Sequence, residues 1–371
     1  MTDHEISPFP PQNYYCHTHI PFALAAFLGG AILQTISLIL LGVVLFYWPF
    51  FSDNTGLRIA SRGGALVLLL GLQFTVFHAS PKTSIYLSDE DKENVYSLYA
   101  EKVKDWPAGM EDIYLDTEYG KVHVLAYGVD TLPPILLFHA ASMGAHSWAE
   151  NLTPLIGHYR IYAIDNIGEG NLSELKDALE YPNSPKEIAD LYAGIAEQLG
   201  VESSPVFGAS NGGYIAQVYT YYYPEKVTKL ALFGPMGLTQ ITGGSIFMLS
   251  AASMYPLDWV RSKVVNWAFG DDPYCHEKYG DWFDAIMKGT IPSVSQPIPM
   301  KEEQKSKMDL PVLLFLGIND PIVGNAKVAR GLAEEYPNIN IEVLDSGHLI
   351  SVEHRAHVNE KIRRFLDVSM Q

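Results

Sequence analysis

The apolar positions of this 371-residue chain follow two regimes that meet near Ser80. Before that point they run together. The stretch "PFALAAFLGGAILQTISLILLGVVLFYWPFF", residues 21–51, holds no ionisable side chain over 31 positions, and about 20 apolar residues are enough to cross a bilayer as a helix. A second run, "GGALVLLLGLQFTVFHA" at 63–79, has about 17 residues, the short limit for a span. Tyr47, Trp48 and Phe50 close the first run as interfacial aromatics do. The pattern predicts a hairpin of two transmembrane helices joined by "SDNTGLRIASR", which places the chain in a cell membrane as a multi-pass protein. A buried core helix rarely runs this long without a charged face. A cleaved signal peptide is disfavoured by the length of the run and by the absence of Lys and Arg before it. Arg58 and Arg62 lie in the connector, so the positive-inside rule puts the connector in the cytoplasm and the main domain outside.

After Ser80 the apolar residues become periodic. "SDEDKENVYSLYAEKVKDWP" opens with a capping serine and an acidic first turn. It then sets Val95, Leu98, Tyr99, Val103 and Trp106 at helical spacing, which predicts an amphipathic leader helix within 81–110 that packs on the domain. "DIYLDT" and "KVHVLAYG", joined by "EYG", read as a β-hairpin. Six further apolar runs of five to eight residues follow: "PILLFH", "YRIYAID", "SPVFG", "VTKLALFG", "LPVLLFLG" and "INIEVLD". Between them "HSWAENLTPLIGH", "SPKEIADLYAGIAEQLG", "NGGYIAQVYTYYYPEKV", "NAKVARGLAEEYPN" and "SVEHRAHVNEKIRRFLDV" read as helices. The alternation predicts an α/β domain over 111–371, with a mostly parallel eight-stranded sheet flanked by helices. One interval, 237–308, is too long for a crossover and rich in Met, Trp, Tyr and Phe. It predicts a helical lid over the C-terminal edge of the sheet, where open α/β sheets bind ligands.

Composition narrows the function classes. Residues 1–80 carry only Asp3, Glu5, Asp53, Arg58 and Arg62, and the remainder holds 23 basic and 39 acidic residues of the 25 and 42 in the chain. A net charge of −17 with no basic stripe argues against nucleic acid as a partner. Cys16 and Cys275 are distant and show no zinc spacing, so neither a disulfide framework nor a metal is expected.

The chemistry gathers around "VFGASNGGYI". Ser210 sits between a strand and a helix, where a sharp turn lifts a side chain above the sheet, and the N–H of Asn211 at the helix start points at an anion beside it. A serine needs a base, and the base an orienting acid. "LPVLLFLGINDPIVG" puts Asp320 in the loop after one strand. "INIEVLDSGHLISVEH" puts His348 after the next, in the order Ser, Asp, His. His354 and His357 fall within a helical pattern, and Asp165 and Asp345 read as structural aspartates.

From about Ile85 to Leu366 the chain resembles the α/β-hydrolase superfamily, and in detail its prokaryotic carboxylesterase-type members. "LLFHAASMGAHSW" is similar to the family's HG segment and "YRIYAIDNIGEGN" to its strand-Asp-x-x-Gly-x-Gly loop. "GASNGG", "GINDPIV" and "SGHLISVEHRAHVNEKIRRFL" are similar to the nucleophile elbow, acid loop and histidine loop. The resemblance implies a Ser210–Asp320–His348 triad and no cofactor. It also implies an oxyanion hole made by the backbone N–H groups of Ala141 and Asn211, with His139 propping that loop. Two departures stand out. Ala140 replaces the usual glycine after His139, which would misplace the donor if that peptide needs a glycine-only conformation. Glu169 and Asn171 stand where the family often has His and Ser. The lid aromatics imply an apolar chamber, hence a small ester or other acyl substrate with an apolar group. A membrane-anchored carboxylesterase is the leading expectation. Thioester, lactone, peptide or carbon–carbon bond hydrolysis by the same triad, and a non-catalytic membrane-tethered binding protein, are the alternatives.

Overall fold

A computed structural model describes residues 84–178, 180–240, 245, 258–270 and 272–367. By its internal contacts the chain divides between Lys82 and Thr83. The membrane runs expected at 21–51 and 63–79, with their connector, lie outside the described residues. Among the described residues no helix is long and apolar enough to cross a membrane.

The eight predicted strands are β1 (Glu111–Asp116), β2 (Gly120–Tyr127), β3 (Pro134–Phe138), β4 (Arg160–Ile164), β6 (Ser204–Ala209), β7 (Val227–Phe233), β8 (Val312–Gly317) and β9 (Ile339–Leu344). A ninth, the two-residue β5 (Glu174–Leu175), pairs with β2 outside the main order β1-β2-β4-β3-β6-β7-β8-β9. Two residues are too few to leave a periodic pattern in the sequence. The run from β4 to β9 is parallel throughout, and β2 joins it antiparallel through β4.

Every residue of β4 and of β8 is buried, as expected for strands covered on both faces. Leu137, Phe207, Ala231 and Phe315 pack into one apolar layer, while Leu136, Val206, Leu230 and Leu314 pack into the other. That split is the two-residue period of the sequence turned into two cores.

The leader helix α1 (Asp89–Lys102) starts where Ser88 Oγ accepts the Asp91 N–H at 3.1 Å. Helices α2 (Pro185–Gln198) and α3 (Asn211–Tyr222) follow on the sheet, α2 opened by a capping box between Ser184 and Glu187. After β7 come α4 (Asp258–Phe269) and α5 (Pro273–Gly289), then a proline-bearing strap over 291–300 and the short α6 (Glu302–Lys305). These belong to the expected lid, of which 241–244, 246–257 and 271 lie outside the described residues. Helix α1 docks on α5: Lys102 Nζ donates to the Lys278 carbonyl and to Asp281 Oδ1, both at 2.7 Å. Trp282 of α5 is fully buried against Tyr99 and His146 and donates its indole N–H to the Ser142 carbonyl at 2.9 Å, whereas Trp259 of α4 is exposed.

Two helix expectations need correction. "HSWAENLTPLIGH" gives only a 3₁₀ turn, Ala145–Asn151, because Pro154 bars its predecessor from the helical region and Gly157 takes φ 79°. "SVEHRAHVNEKIRRFLDV" is split at His354 into α8 (Ile350–Glu353) and α9 (Arg355–Phe365), after α7 (Ala326–Ala333). The break is held by His354 Nε2 on the Asp345 carbonyl and by Glu353 Oε2, which takes the Gly347 N–H at 3.0 Å.

Candidate active site

The last residue of β6 is Ala209 and the first of α3 is Asn211, so Ser210 alone must reverse the chain. It does so at φ 49°, ψ −115°, a region that side-chain-bearing residues rarely occupy. The turn is held from both sides: Ser210 N–H donates to the Phe233 carbonyl at 3.0 Å, and Met236 N–H donates to the Ser210 carbonyl at 2.9 Å. Gly212 is required by close approach, since a Cβ there would lie 2.1 Å from the Phe138 carbonyl oxygen. That approach lets Gly212 N–H reach the His139 carbonyl at 3.1 Å and ties the elbow to the loop after β3.

His348 bridges Ser210 and Asp320. Its Nε2 stands 2.8 Å from Ser210 Oγ and its Nδ1 2.8 Å from Asp320 Oδ2. The carboxylate orients Nδ1–H, which leaves Nε2 free to accept the hydroxyl proton. Asp320 is buried and also caps its own loop, its Oδ1 accepting the N–H groups of Ile322 at 2.8 Å and Val323 at 3.0 Å. The loop contacts of this aspartate and its contact with His348 therefore employ different oxygens.

The loop after β3 supplies the second side of the site. His139 is buried, and burial lowers its pKa. Its Nε2 accepts the Asn166 N–H at 2.8 Å, which fixes the proton on Nδ1, and Nδ1 donates to the Ala140 carbonyl at 2.8 Å. Met143 N–H also donates to that carbonyl. Positive φ falls on Ser142 (60°) and not on Ala140, so the departure from glycine at 140 introduces no backbone strain. No hydrogen bond among the described residues engages the N–H of Ala141 or of Asn211, the two groups expected to face an oxyanion.

Glu169 crosses between these two segments. Its Oε2 accepts the Ser142 N–H at 2.7 Å and its Oε1 accepts from Asn211 Nδ2 at 2.9 Å. Burial pushes its carboxyl up to about 8. Asn171 braces the same loop, donating to the Asn166 carbonyl at 2.9 Å. Asp165 is structural, as expected: its carboxylate takes the Ala145 N–H at 2.6 Å and holds His123 Nδ1 at 2.7 Å, while Asp112 holds Nε2 at 2.9 Å. Asp345 accepts from Asn319, and exposed His357 pairs with half-buried Glu342, so neither reaches the serine. The sequence motifs assign no role to three contributors: Glu169 as a bridge, Glu353 behind the histidine loop, and Gly234. A Cβ on Gly234 would lie 3.1 Å from Asp320 Oδ2 and 3.4 Å from His348 Nδ1. Its position at a strand end was the available clue.

Beside Ser210 the described residues form a cavity of about 30 Å³, walled by Met143, Trp148, Phe233, Leu349 and Val352. It is apolar and small.

Residues 133–262 match a family model described as the alpha/beta hydrolase fold. The carboxylesterase nap of Bacillus subtilis is 26% identical over 280 residues, which cover 73% of this chain and 92% of that protein. The crystal structure of naproxen esterase (carboxylesterase NP) from Bacillus subtilis superposes with a TM-score of 0.69 at 26% identity, covering 76% of this chain and 99% of that one. The structure of carboxylesterase CesB (YbfK) from the same organism gives a TM-score of 0.69 at 22% identity, a likeness of fold. The chain has the α/β-hydrolase fold, and carboxylesterases of Bacillus are among its relatives.

Proposed function

We propose that the protein is a membrane-anchored serine hydrolase, a carboxylesterase that works through an acyl-enzyme on Ser210. The observation that carries this reading is the unbroken relay from Asp320 through His348 to Ser210, with both contacts at 2.8 Å. Ser210 Oγ attacks the ester carbonyl carbon while its proton passes to His348 Nε2, and Asp320 stabilises the imidazolium. The carbonyl oxygen becomes an oxyanion facing the N–H groups of Ala141 and Asn211. The carbon–oxygen bond then breaks as His348 returns the proton to the departing alcohol. Water attacks the acyl-enzyme, losing its proton to His348, and the carboxylic acid leaves as Ser210 is reprotonated.

The carboxylesterase relatives support an ester over the other acyl compounds that the same triad hydrolyses. The size of the cavity supports a small apolar group beside the scissile bond. The absence of a positive φ at Ala140 counts against a non-catalytic binding role. Membrane anchoring rests on the uncharged run at 21–51 and the shorter run at 63–79, and an extracytoplasmic domain rests on Arg58 and Arg62.

A fluorophosphonate probe on the detergent-solubilised full chain should label Ser210, and a chromogenic acyl ester should give a burst that Ser210→Ala abolishes. Labelling confined to other residues in folded protein would overturn the assignment. Recovery of the full chain in the soluble fraction after cell lysis would overturn the anchor.

A further inference from the structure

The two expected oxyanion donors belong to separate parts of the chain, the loop after β3 and the first turn of α3. Their relative placement must survive charge developing between them, and a displacement of about 1 Å is enough to lose most of the benefit. Among the described residues Glu169 is the side chain that bonds to both segments, through Oε2 on Ser142 N–H and Oε1 on Asn211 Nδ2. Ser142 holds φ 60°, a conformation unfavourable for serine, and its N–H is the group Glu169 captures.

The bridge is itself anchored. Ser293 of the strap donates its N–H to the Gly168 carbonyl at 2.8 Å. A Cβ on Gly168 would lie 2.0 Å from the Ser293 carbonyl oxygen, and one on Gly170 would lie 2.5 Å from Ile286 Cδ1 of α5. The loop carrying Glu169 is therefore wedged beneath the lid, and the Glu169 side chain is buried.

A buried carboxyl with no cation beside it is an expensive way to fill space. The groups facing it are anionic or neutral: Asp165 and the Asn166 amide on its own loop, the Tyr181 phenol before α2, and the Tyr192 phenol on α2. We propose that Glu169 is a positioning residue, a clamp that fixes the Ala141 and Asn211 donors relative to each other for the attack on Ser210. The proposal rests on the esterase reading above. The hydrogen bonds from the Ser142 N–H and the Asn211 amide both require Glu169 to accept. A protonated carboxyl turns one oxygen into a donor, and neither the Ser142 N–H nor the Asn211 amide NH₂ can receive it. Burial places that ionisation at about 8, so the clamp closes as pH rises through that value.

The test uses full-length, detergent-solubilised protein and a p-nitrophenyl acyl ester. In Glu169→Gln, kcat falls about 10- to 100-fold with KM within about threefold and thermal stability at pH 8 undiminished. The rise of wild-type kcat near pH 8 disappears. Asn211→Ala keeps the backbone N–H, removes the same bridge and falls alongside. The double variant loses less than the product of the single losses. If Glu169→Gln does not fold, Asn211→Ala carries the kcat and pH readouts. A Glu169→Gln enzyme with kcat within twofold of wild type, or with the pH 8 rise intact, overturns the clamp. A wild-type enzyme with no burst overturns the esterase reading, a result distinct from an active wild type with an unaffected variant.

Discussion

Glu169 gives stability a pH dependence of definite sign. Its carboxyl lies at about 8 in the folded chain against an ordinary value of 4.5. Between those limits the folded state keeps a proton that the unfolded state has released, so stability falls as pH rises through that window and levels off above it. A separation of roughly 3.5 units at 1.36 kcal/mol each gives about 4 to 5 kcal/mol between pH 4.5 and pH 8. That is a third or more of the roughly 5 to 15 kcal/mol that typically holds a domain together. Glu169→Gln removes the titration, keeps the volume, and surrenders one acceptor. The assay is thermal unfolding of wild type and variant from pH 5 to pH 9. The quantity read is the difference between the two curves, which cancels the titration of His123 and of the surface groups. At on the order of 2 °C per kcal/mol for a domain of this size, the variant should gain about 8 °C on wild type between pH 5 and pH 8.5. Parallel curves would refute the reasoning, because they would mean that Glu169 is ionised throughout and already compensated.

Other substitutions probe the same geometry. Relieving φ 49° at residue 210 should make Ser210→Gly more stable than Ser210→Ala by about 1 to 2 kcal/mol, net of glycine's entropy; equal urea midpoints would argue against strain at the elbow. Gly234→Ala combines φ 50° with a Cβ 3.1 Å from Asp320 Oδ2, and steady-state kinetics should show kcat down by roughly 10-fold or more with KM little changed. Asp320→Asn keeps the shape but holds His348 in the wrong tautomer, and should lower kcat by about 10⁴-fold; a loss under tenfold would leave Asp320 a mere cap. Trp148→Ala opens the cavity beside Ser210, so kcat/KM for butyryl over acetyl esters should rise by about tenfold, and an unchanged ratio would place the acyl group elsewhere.

Legibility in the sequence followed the range of the interactions. Strands announced themselves because burial on both faces leaves unbroken apolar runs, as in Leu313, Leu314 and Phe315. Ser210, Asp320 and His348 were readable because each sits in a local motif at a strand end. The docking of α1 on α5 was not, since Lys102 and Asp281 are separated by 179 residues and either could have been a solvated charge. Glu169 was visible only as a departure from a family pattern. Its partners Ser142 and Asn211 lie 27 and 42 residues away, and no periodicity links them. Ala140 shows the converse. A local rule flagged it, and the fold moved the special backbone conformation two residues along, to Ser142.

Several glycines acquire a reason only from the distance the relay must cover. His348 follows β9 and Ser210 follows β6, and in the sheet order β6-β7-β8-β9 these strands lie three spacings apart, or roughly 14 Å. A histidine side chain cannot span that gap, so the loop after β9 has to fold back across the ends of β8 and β7. Glycine stands at the end of β8 and just beyond the end of β7. At the end of β8 a Cβ on Gly317 would lie 2.3 Å from the Gly347 carbonyl oxygen and 2.6 Å from that of Ser346, so the returning loop lies directly on it. Just beyond β7, Gly234 leaves the imidazole and the Asp320 carboxylate room to meet. Asp320, on the loop after β8, meets the imidazole on the side away from Ser210, at 2.8 Å from Nδ1. Side chains at 234 or 317 would therefore act on catalysis without touching substrate, by lifting His348 away from Ser210.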